Sequence, residues 1–366
     1  MSERINQTRY MARALRLARR GLYSVDPNPR VGCLLVQADR IVGEGWHERA
    51  GEPHAEIHAL HTAGARAQGA TAFITLEPCS HHGRTPPCSD ALIQARIGRA
   101  VVAMQDPNPQ VGGMGIAALK AAGIHVEVGL LQHQAEALNP GFISRMRRGR
   151  PFVRAKLAAS LDGRTAMASG ESKWISGAAA RADVQRWRAR SSAIMVGIDT
   201  VQSDDPRLDV REITLARQPL RVVVDSRLRI SSQAKILAGT GPVLVATATD
   251  ETVRIEQLRR ANVDVLRLPG EGGRVDLTLL MRELAAREVN ELLVESGAAL
   301  CGALLQARLI DEIVLYLAPC LMGHQGRAMF NLPKLESMSD RVALEIQDTR
   351  AVGDDWRVIA KVRSEG

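Results

Sequence analysis

The sequence predicts an α/β protein in two domains. Three observations carry that expectation. At 366 residues the chain exceeds what one small core organises. Apolar runs of strand length alternate with helix-spaced stretches over most of it. One basic, Pro- and Gly-flanked stretch, PGFISRMRRGRP near residues 140–151, interrupts the alternation and reads as an exposed junction.

The elements follow in order. QTRYMARALRLARRG places Met11, Ala14, Leu15 and Ala18 at helical spacing. Gly21 stops that helix, and Arg19 and Arg20 sit where the helix dipole favours cations. PNPRVGCLLVQ is a loop running into a buried strand, and IVGEGWH is a second strand. HAEIHALHTAG is a helix ended by Gly64, and TAFITL is a strand that runs straight into EPCSHHGRTPPC. ALIQARI (helix), RAVVAM (strand), GGMGIAALKAAG (helix) and IHVEVG (strand) complete the first half. After the junction FVRAKLA, AIMVG, LRVVVDS, PVLVATA, VDVLRL, ELLVESG and EIVLYLAP read as strands. AARADVQRWRAR, VRIEQLRRA, LTLLMRELAAR and ALCGALLQ are helical stretches between several of them.

Composition narrows the function class. No apolar run approaches the ~18 residues of a membrane span, and the N-terminus has no apolar signal-peptide core. Five scattered cysteines, an odd count, do not make a disulfide framework, so a reducing, cytoplasmic setting is expected. The net charge of +8 suits an anionic partner. Aromatic residues are only 3% of the chain, too few for the stacking platforms of a single-strand binder. Phosphorylated metabolites remain.

Residues 77–88 hold two of the five cysteines with eight residues between them. A disulfide, a metal site or simple proximity in a loop are the alternatives. His54, Cys79 and Cys88 together offer one imidazole and two thiolates. Three N/S ligands with one position left open is the arrangement of a catalytic zinc. Zinc lowers the pKa of a bound water towards neutrality, and Glu56, two residues after the ligand histidine, is placed to take that proton and deliver it to a leaving amine. His58 and His61 follow His54 at i+4 and i+7, which allows a wider cluster, but they read as packing or surface histidines. Cys33, Cys301 and Cys320 read as small buried hydrophobes. A near-repeat, DPNPRVG from Asp26 and DPNPQVGG from Asp106, marks two proline-bearing loops expected to rim one pocket.

The H-x-E…P-C…C pattern resembles the zinc nucleoside and nucleobase deaminase signature. It departs from the short P-C-x-x-C form, and a longer loop, with Pro86 and Pro87 fixing its path, must return the second thiolate. HAEIHAL with TLEPCSHHGRTPPC is similar to the deaminase half of the bifunctional riboflavin-biosynthesis deaminase/reductases. That resemblance implies that His81 and Arg84 contact ribose and phosphate, and that Asn28, Asp106 and Asn108 are further substrate contacts.

The second half has no G-x-G-x-x-G after a strand, so a Rossmann fingerprint is missing. AKLAASLDGRTA, VGIDTVQSDDPRLDVR and LLVESGAALCGALLQ are similar, in that order, to the reductase half of the same family. The resemblance runs from the first helix to about Cys320 and thins beyond it. It implies a cytidine-deaminase-like three-layer α/β domain over residues 1–146 and a dihydrofolate-reductase-like α/β domain over 147–366. It implies that Ala158, Trp174, Thr200, Asp204, Ser226 and the turn Gly297, Ala298, Ala299, Leu300, Cys301, Gly302 and Ala303 face NADPH. Ser172, Arg188, Leu208, Arg211 and Glu295 would face the substrate, with Arg188 and Arg211 suited to a ribose 5-phosphate. Lys156 would stand near the reacting ribose carbon, helping to open the ring and polarise the imine. Asp199 stands where the family has a small residue, and Ala298-Ala299 replace a common Pro-Thr; both are expected to bear on cofactor affinity.

The leading expectation is a two-step enzyme holding one Zn2+ per chain and using NADPH. It would deaminate 2,5-diamino-6-ribosylamino-4(3H)-pyrimidinone 5′-phosphate, then reduce 5-amino-6-(5-phosphoribosylamino)uracil to the ribitylamino product. Its partners would be these phosphorylated pyrimidines, not nucleic acid or membrane, in a homo-oligomer (dimer or tetramer). A deaminase of tRNA or single-stranded DNA with a C-terminal binding module is the alternative. A non-catalytic, metal-stabilised nucleotide binder is the third reading.

Overall fold

The computed structural model describes residues 2–80, 87–259 and 262–363. The chain divides into two compact units, Met1–Gly149 and Arg150–Gly366.

The first unit is a five-stranded sheet between helices. Its elements are α1 (Ser2–Ala18), β1 (Gly32–Gln37), β2 (Arg40–Trp46), α2 (Ala55–Ala63), β3 (Thr71–Ile74), α3 (Cys88–Gln94) and β4 (Arg99–Val102). Then come α4 (Met114–Ala121), β5 (His125–Val128), α5 (Gln132–Leu138) and α6 (Pro140–Arg148). The strand order is β2-β1-β3-β4-β5. β1 runs antiparallel to both its neighbours, whereas β3, β4 and β5 are parallel. Side chains alternate across the sheet, as the period of a strand requires. Cys33 and Leu35 join Ala55, Ala59, Leu92 and Leu119 on one face. Leu34 and Val36 join Tyr10, Met11, Ala14 and Ala135 on the other. These are the three layers.

The helices approach the hairpin β1–β2 closely because three strand residues lack side chains. A Cβ at Gly32 would collide with the Ala14 carbonyl of α1, and one at Gly43 or Gly45 with the Ala59 or Ala55 carbonyl of α2. His54 is the N-cap of α2, so this contact also sets the height of His54 and Glu56 above the sheet.

The second unit is built on a nine-stranded sheet. It comprises β6 (Phe152–Ser160), β7 (Arg164–Ala166), α7 (Ala178–Arg190), β8 (Ala193–Gly197), α8 (Ile198–Asp204) and β9 (Leu220–Val224). There follow β10 (Val243–Thr247), α9 (Thr252–Leu258), β11 (Val263–Arg267), α10 (Leu277–Ala286), β12 (Glu291–Val294) and α11 (Ala298–Gln306). The unit continues with β13 (Glu312–Ala318), β14 (Arg327–Ala328), β15 (Leu344–Val352) and β16 (Asp355–Val362). The order β11-β10-β9-β8-β12-β6-β13-β16-β15 is parallel from β11 to β13 and antiparallel in the last two strands. β12 is inserted between β6 and β8, so the winding reverses there. In such sheets ligands bind outside the C-terminal strand ends near that reversal. Met195, Val222 and Leu244 pack under α10 and α11 on one face, and Ile194, Val223 and Val245 pack towards α9 on the other.

Three expectations are adjusted. The two units divide within PGFISRMRRGRP, after Gly149, and most of that segment is helix: Pro140 occupies its first turn, and Gly149 at φ 62 stops it. Gly141 and Ser144 are buried, and Arg148, one turn on, donates to the Ser144 hydroxyl at 2.6 Å. Cys320 is exposed rather than buried, because it lies just past the end of β13. The strand read as TAFITL closes at Ile74, since Gly32 N–H donates to the Thr75 hydroxyl, ending the regular ladder. The hairpin β15–β16, unread in the sequence, closes the second sheet.

The close approach of α2 is testable. Gly45→Ala forces α2 off the strand, and overpacking of this kind costs about 1–3 kcal/mol. The expected result is a lower urea midpoint, together with less than one zinc per chain by atomic absorption. An unshifted midpoint would show that α2 tolerates the methyl.

Candidate functional site

In the first unit three side chains converge. The ligand atoms of His54, Cys79 and Cys88 lie within 4.8 Å of one another, the one group of metal-ligating side chains of this kind among the described residues. His54 Nδ1 stands 3.3 Å from Cys88 Sγ and 3.6 Å from Cys79 Sγ. Tetrahedral zinc with ordinary Zn–N and Zn–S bonds would separate N from S by about 3.5 Å. The donor set therefore fits zinc in both kind and spacing. His58 does not join it, and His61 is exposed on the same helix.

Three segments deliver these ligands. His54 caps α2 at extended backbone angles, and Cys88 opens α3 after Pro87. Cys79 follows β3, where the Cys88 backbone N–H donates to its sulfur at 3.3 Å. The Cys88 hydrogen bond pulls Cys79 down to about 4, and the same bond with burial pushes Cys88 up. Hydrogen bonding to Cys79 raises His54. Glu56 is buried beside this cluster, and its Oε2 has no hydrogen-bond partner. Burial pushes its carboxyl up to about 7. A buried, unpartnered carboxylate oxygen next to a set of soft donors needs a cation or a proton.

Two further residues organise the rim, and the sequence reading missed both. Glu77 accepts three backbone N–H bonds, from Asp106 (3.0 Å), Gly113 (2.9 Å) and Ile116 (3.1 Å). It thereby ties the second DPNP loop to the segment that carries Cys79. His47 Nε2 lies 3.0 Å from Asn28 Nδ2, and its ring meets that of His54 edge-on at 5.1 Å. Its Nδ1 faces the Pro53 carbonyl at 3.2 Å, so Nδ1–H donates there and Nε2 accepts from Asn28. Asn28, Asp106 and Asn108 are thus each one step from a ligand segment. His81 and Arg84 lie outside the described residues.

In the second unit Lys156, Arg188 and Glu295 meet at the C-terminal mouth of the sheet. Glu295 Oε1 accepts from Arg188 Nε at 2.6 Å, and Oε2 lies 3.1 Å from Arg188 Nη2 and 3.3 Å from Lys156 Nζ. Burial pushes the Glu295 carboxyl up, but the two cations and their hydrogen bonds outweigh it and leave it at about 2. Arg188 Nη1 also donates to the Asp209 carbonyl at 3.2 Å, bringing the Leu208–Arg211 loop to this cluster. Leu208 itself is buried, at φ 51, so only its backbone is available to a ligand. Arg211 is exposed, with Asp209 at 3.3 Å, and Ser172 is half-buried on the preceding connection.

The residues implied for NADPH fall into two neighbouring places. Lys173 Nζ, next to Trp174, lies 3.7 Å from the Asp204 carboxylate. Ala158 is two residues from Lys156 and so on the same face of β6. Thr200 Oγ1 accepts from Gly297 N–H at 3.2 Å, joining α8 to the start of α11. Leu300, Cys301 and Gly302 are buried, whereas Ala299, Leu300 and Ala303 line a cleft with Ser226. The first-turn N–H groups of α11 have no intrahelical partner and suit a phosphate. The donor set fits a phosphorylated dinucleotide.

Comparison with known proteins agrees with this division. The family model described as the RibD C-terminal domain matches residues 151–358. The one described as the cytidine and deoxycytidylate deaminase zinc-binding region matches residues 4–104. The riboflavin biosynthesis protein RibD of Escherichia coli is 50% identical over 358 residues, covering 94% of this chain and 96% of that protein. The RibD structure from Acinetobacter baumannii superimposes with a TM-score of 0.90 at 45% identity, covering 99% of this chain and all of the other. A Thermotoga maritima protein described as a diaminohydroxyphosphoribosylaminopyrimidine deaminase/5-amino-6-(5-phosphoribosylamino)uracil reductase gives 0.88 at 31% identity, over 99% and 100% of the two chains.

The Glu295 cluster makes stability pH-dependent. Its folded pKa lies below its ordinary value, so the stabilisation is complete above about pH 4.5 and is lost as pH falls towards 2. Urea unfolding should give wild type an advantage of about 3 kcal/mol over Glu295→Gln at pH 7, roughly halved at pH 3. An advantage that does not change with pH would rule the carboxylate out as its source.

Proposed function

The chain belongs to the RibD family, the bifunctional deaminase/reductases of riboflavin biosynthesis, and from that premise we propose how its residues divide the two reactions. The family uses zinc for the first step and NADPH for the second. The observation that carries the assignment is the His54–Cys79–Cys88 cluster with the unpartnered Glu56 oxygen beside it.

In the first step His54, Cys79 and Cys88 hold the metal. A zinc ion held by them would lower the pKa of a coordinated water and make a nucleophile available at neutral pH. Glu56 Oε2 takes the proton from the attacking water and returns it to the departing amine. Burial raises its carboxyl, which favours its holding the proton between the two transfers. Asn28 is oriented by His47 and presents its carbonyl oxygen to the pyrimidinone. Asp106 and Asn108, tied to the Cys79 segment through Glu77, are further substrate contacts. His81 and Arg84 take the ribose phosphate.

In the second step bound NADPH would supply the hydride that C1′ of the opened ribose receives. Glu295 fixes Lys156 Nζ at the strand ends, where the ammonium donates a hydrogen bond to the ribose chain. Arg188 is engaged by Glu295 and Asp209, so its part is to hold the carboxylate. Exposed Arg211 is the better phosphate partner. Residues Gly297–Ala303, Thr200, Asp204, Ser226, Ala158 and Trp174 hold the cofactor, and Ser172 and Leu208 complete the substrate side. The working boundary lies near residues 146–150.

The tRNA or single-stranded DNA alternative is not favoured. Similarity to RibD spans nearly the whole chain, and aromatics are sparse. Among the described residues no helix is long and apolar enough to cross a membrane. Five free cysteines support a reducing cytoplasm. Exposed Leu344, Ile346 and Trp356 on the edge hairpin β15–β16 support a homo-oligomer, a dimer or a tetramer.

Glu56→Ala should keep its zinc and lose ammonia release by at least about 100-fold. The same variant should still oxidise NADPH when given the deaminated intermediate. Loss of both activities in a folded variant would sink the two-site division.

A further inference from the structure

At the C-terminal ends of β8 and β9 lies a cleft of ≈ 580 Å3. Four chain segments line it: Asp199 after β8, Ser226, Arg227 and Arg229 after β9, Arg274 before Val275, and Ala299 in the first turn of α11. Its size is that of a small-molecule site. Three arginines and one carboxylate share it, and the carboxylate is taken: Arg229 Nη2 donates to Asp199 Oδ1 at 2.7 Å.

The turn that carries the arginines is firmly held. Asp225, fully buried, accepts from Ile230 N–H at 2.8 Å. Leu228 between the two arginines is fully buried. Ser226 Oγ accepts from Val275 N–H at 3.1 Å, which pins this turn to the segment of Arg274. The side chains of Arg229 and Asp199 remain 46% and 74% exposed, so a ligand can reach both.

In dinucleotide sites a carboxylate at the adenosine ribose accepts from a free 2′-hydroxyl, and arginine binds a 2′-phosphate. This cleft contains both devices, joined to each other. Continuing from the first turn of α11, which serves the pyrophosphate, the cleft leads to this pair.

Resting on the cofactor assignment above, we propose that the Asp199–Arg229 pair sets this chain's discrimination between dinucleotides with and without a 2′-phosphate. Arg227 and Arg274 complete the phosphate subsite, and Asp199 weakens it. Arg229 must exchange a carboxylate for the phosphate, and Asp199 is then left beside a dianion. The preference for NADPH over NADH is accordingly smaller than three arginines alone would give.

The test is calorimetric titration of the full chain with adenosine 2′,5′-bisphosphate, 5′-AMP and NADPH, in wild type, Asp199→Asn and Arg229→Gln. Asp199→Asn should tighten the bisphosphate about three- to tenfold by removing one repulsive charge, with 5′-AMP unchanged. Arg229→Gln should weaken the bisphosphate at least about tenfold, again sparing 5′-AMP. Equal effects on both probes, or none on either, would overturn the proposal while NADPH still binds wild type. Failure of wild type to bind NADPH would overturn the cofactor assignment itself, and this determinant with it.

Discussion

Buried charge is the constraint on which both halves turn. A charge taken out of water must be matched, and the two units match theirs differently. In the second unit Glu295 has two cations against one carboxylate, and Arg154 in β6 is clamped between Glu291 and Glu312. Asp183, Tyr316 and Arg357 make a third network, which reaches on to Asp348. In each of these clusters the carboxylates already face cations. In the first unit Glu56 has an unpartnered oxygen, and two thiols and an imidazole crowd together beside it. The charges of that unit call for a cation. The contrast separates a site whose reactant supplies the chemistry from a site whose metal does.

The metal ligands were legible in the sequence because coordination restricts both residue type and reach. One His, two Cys and a Glu two positions after the His rarely fall at these spacings unless a metal holds them together. The alternating strands were legible for the same reason: period two and period 3.6 are hard to confuse over a long run. Glu77 and His47 were illegible because they act on backbone and on another side chain, across 29 and 19 residues of sequence. No local pattern marks a carboxylate that will collect distant N–H groups. The Asp199–Arg229 contact was half legible: the carboxylate stood out, whereas its partner 30 residues on did not.

The misread segments have physical reasons too. PGFISRMRRGRP carries its helix signals at its ends, Pro140 and Gly149, and its basic interior masks them. Strands β15 and β16 form the sheet's edge, so β15 is mostly solvent-facing and lacks the apolar alternation of its neighbours. What identifies that hairpin is a contact from outside it, the reach of Arg357 to Asp183 on α7.

That reach has a consequence for the newborn chain. β6 opens the second unit, yet its hydrogen-bonded neighbours are β12 and β13, about 140 to 160 residues later. α7, which carries Arg188, is fastened by Arg357 on β16. The first unit completes its pairings within residues 1–149, so it can settle while synthesis continues. The second must wait, with its first strand unpaired, until nearly all of it has emerged. Non-local pairing of this kind is slow, and it leaves an apolar edge open to wrong partners meanwhile. During translation, the order in which the halves mature follows the order in which they act.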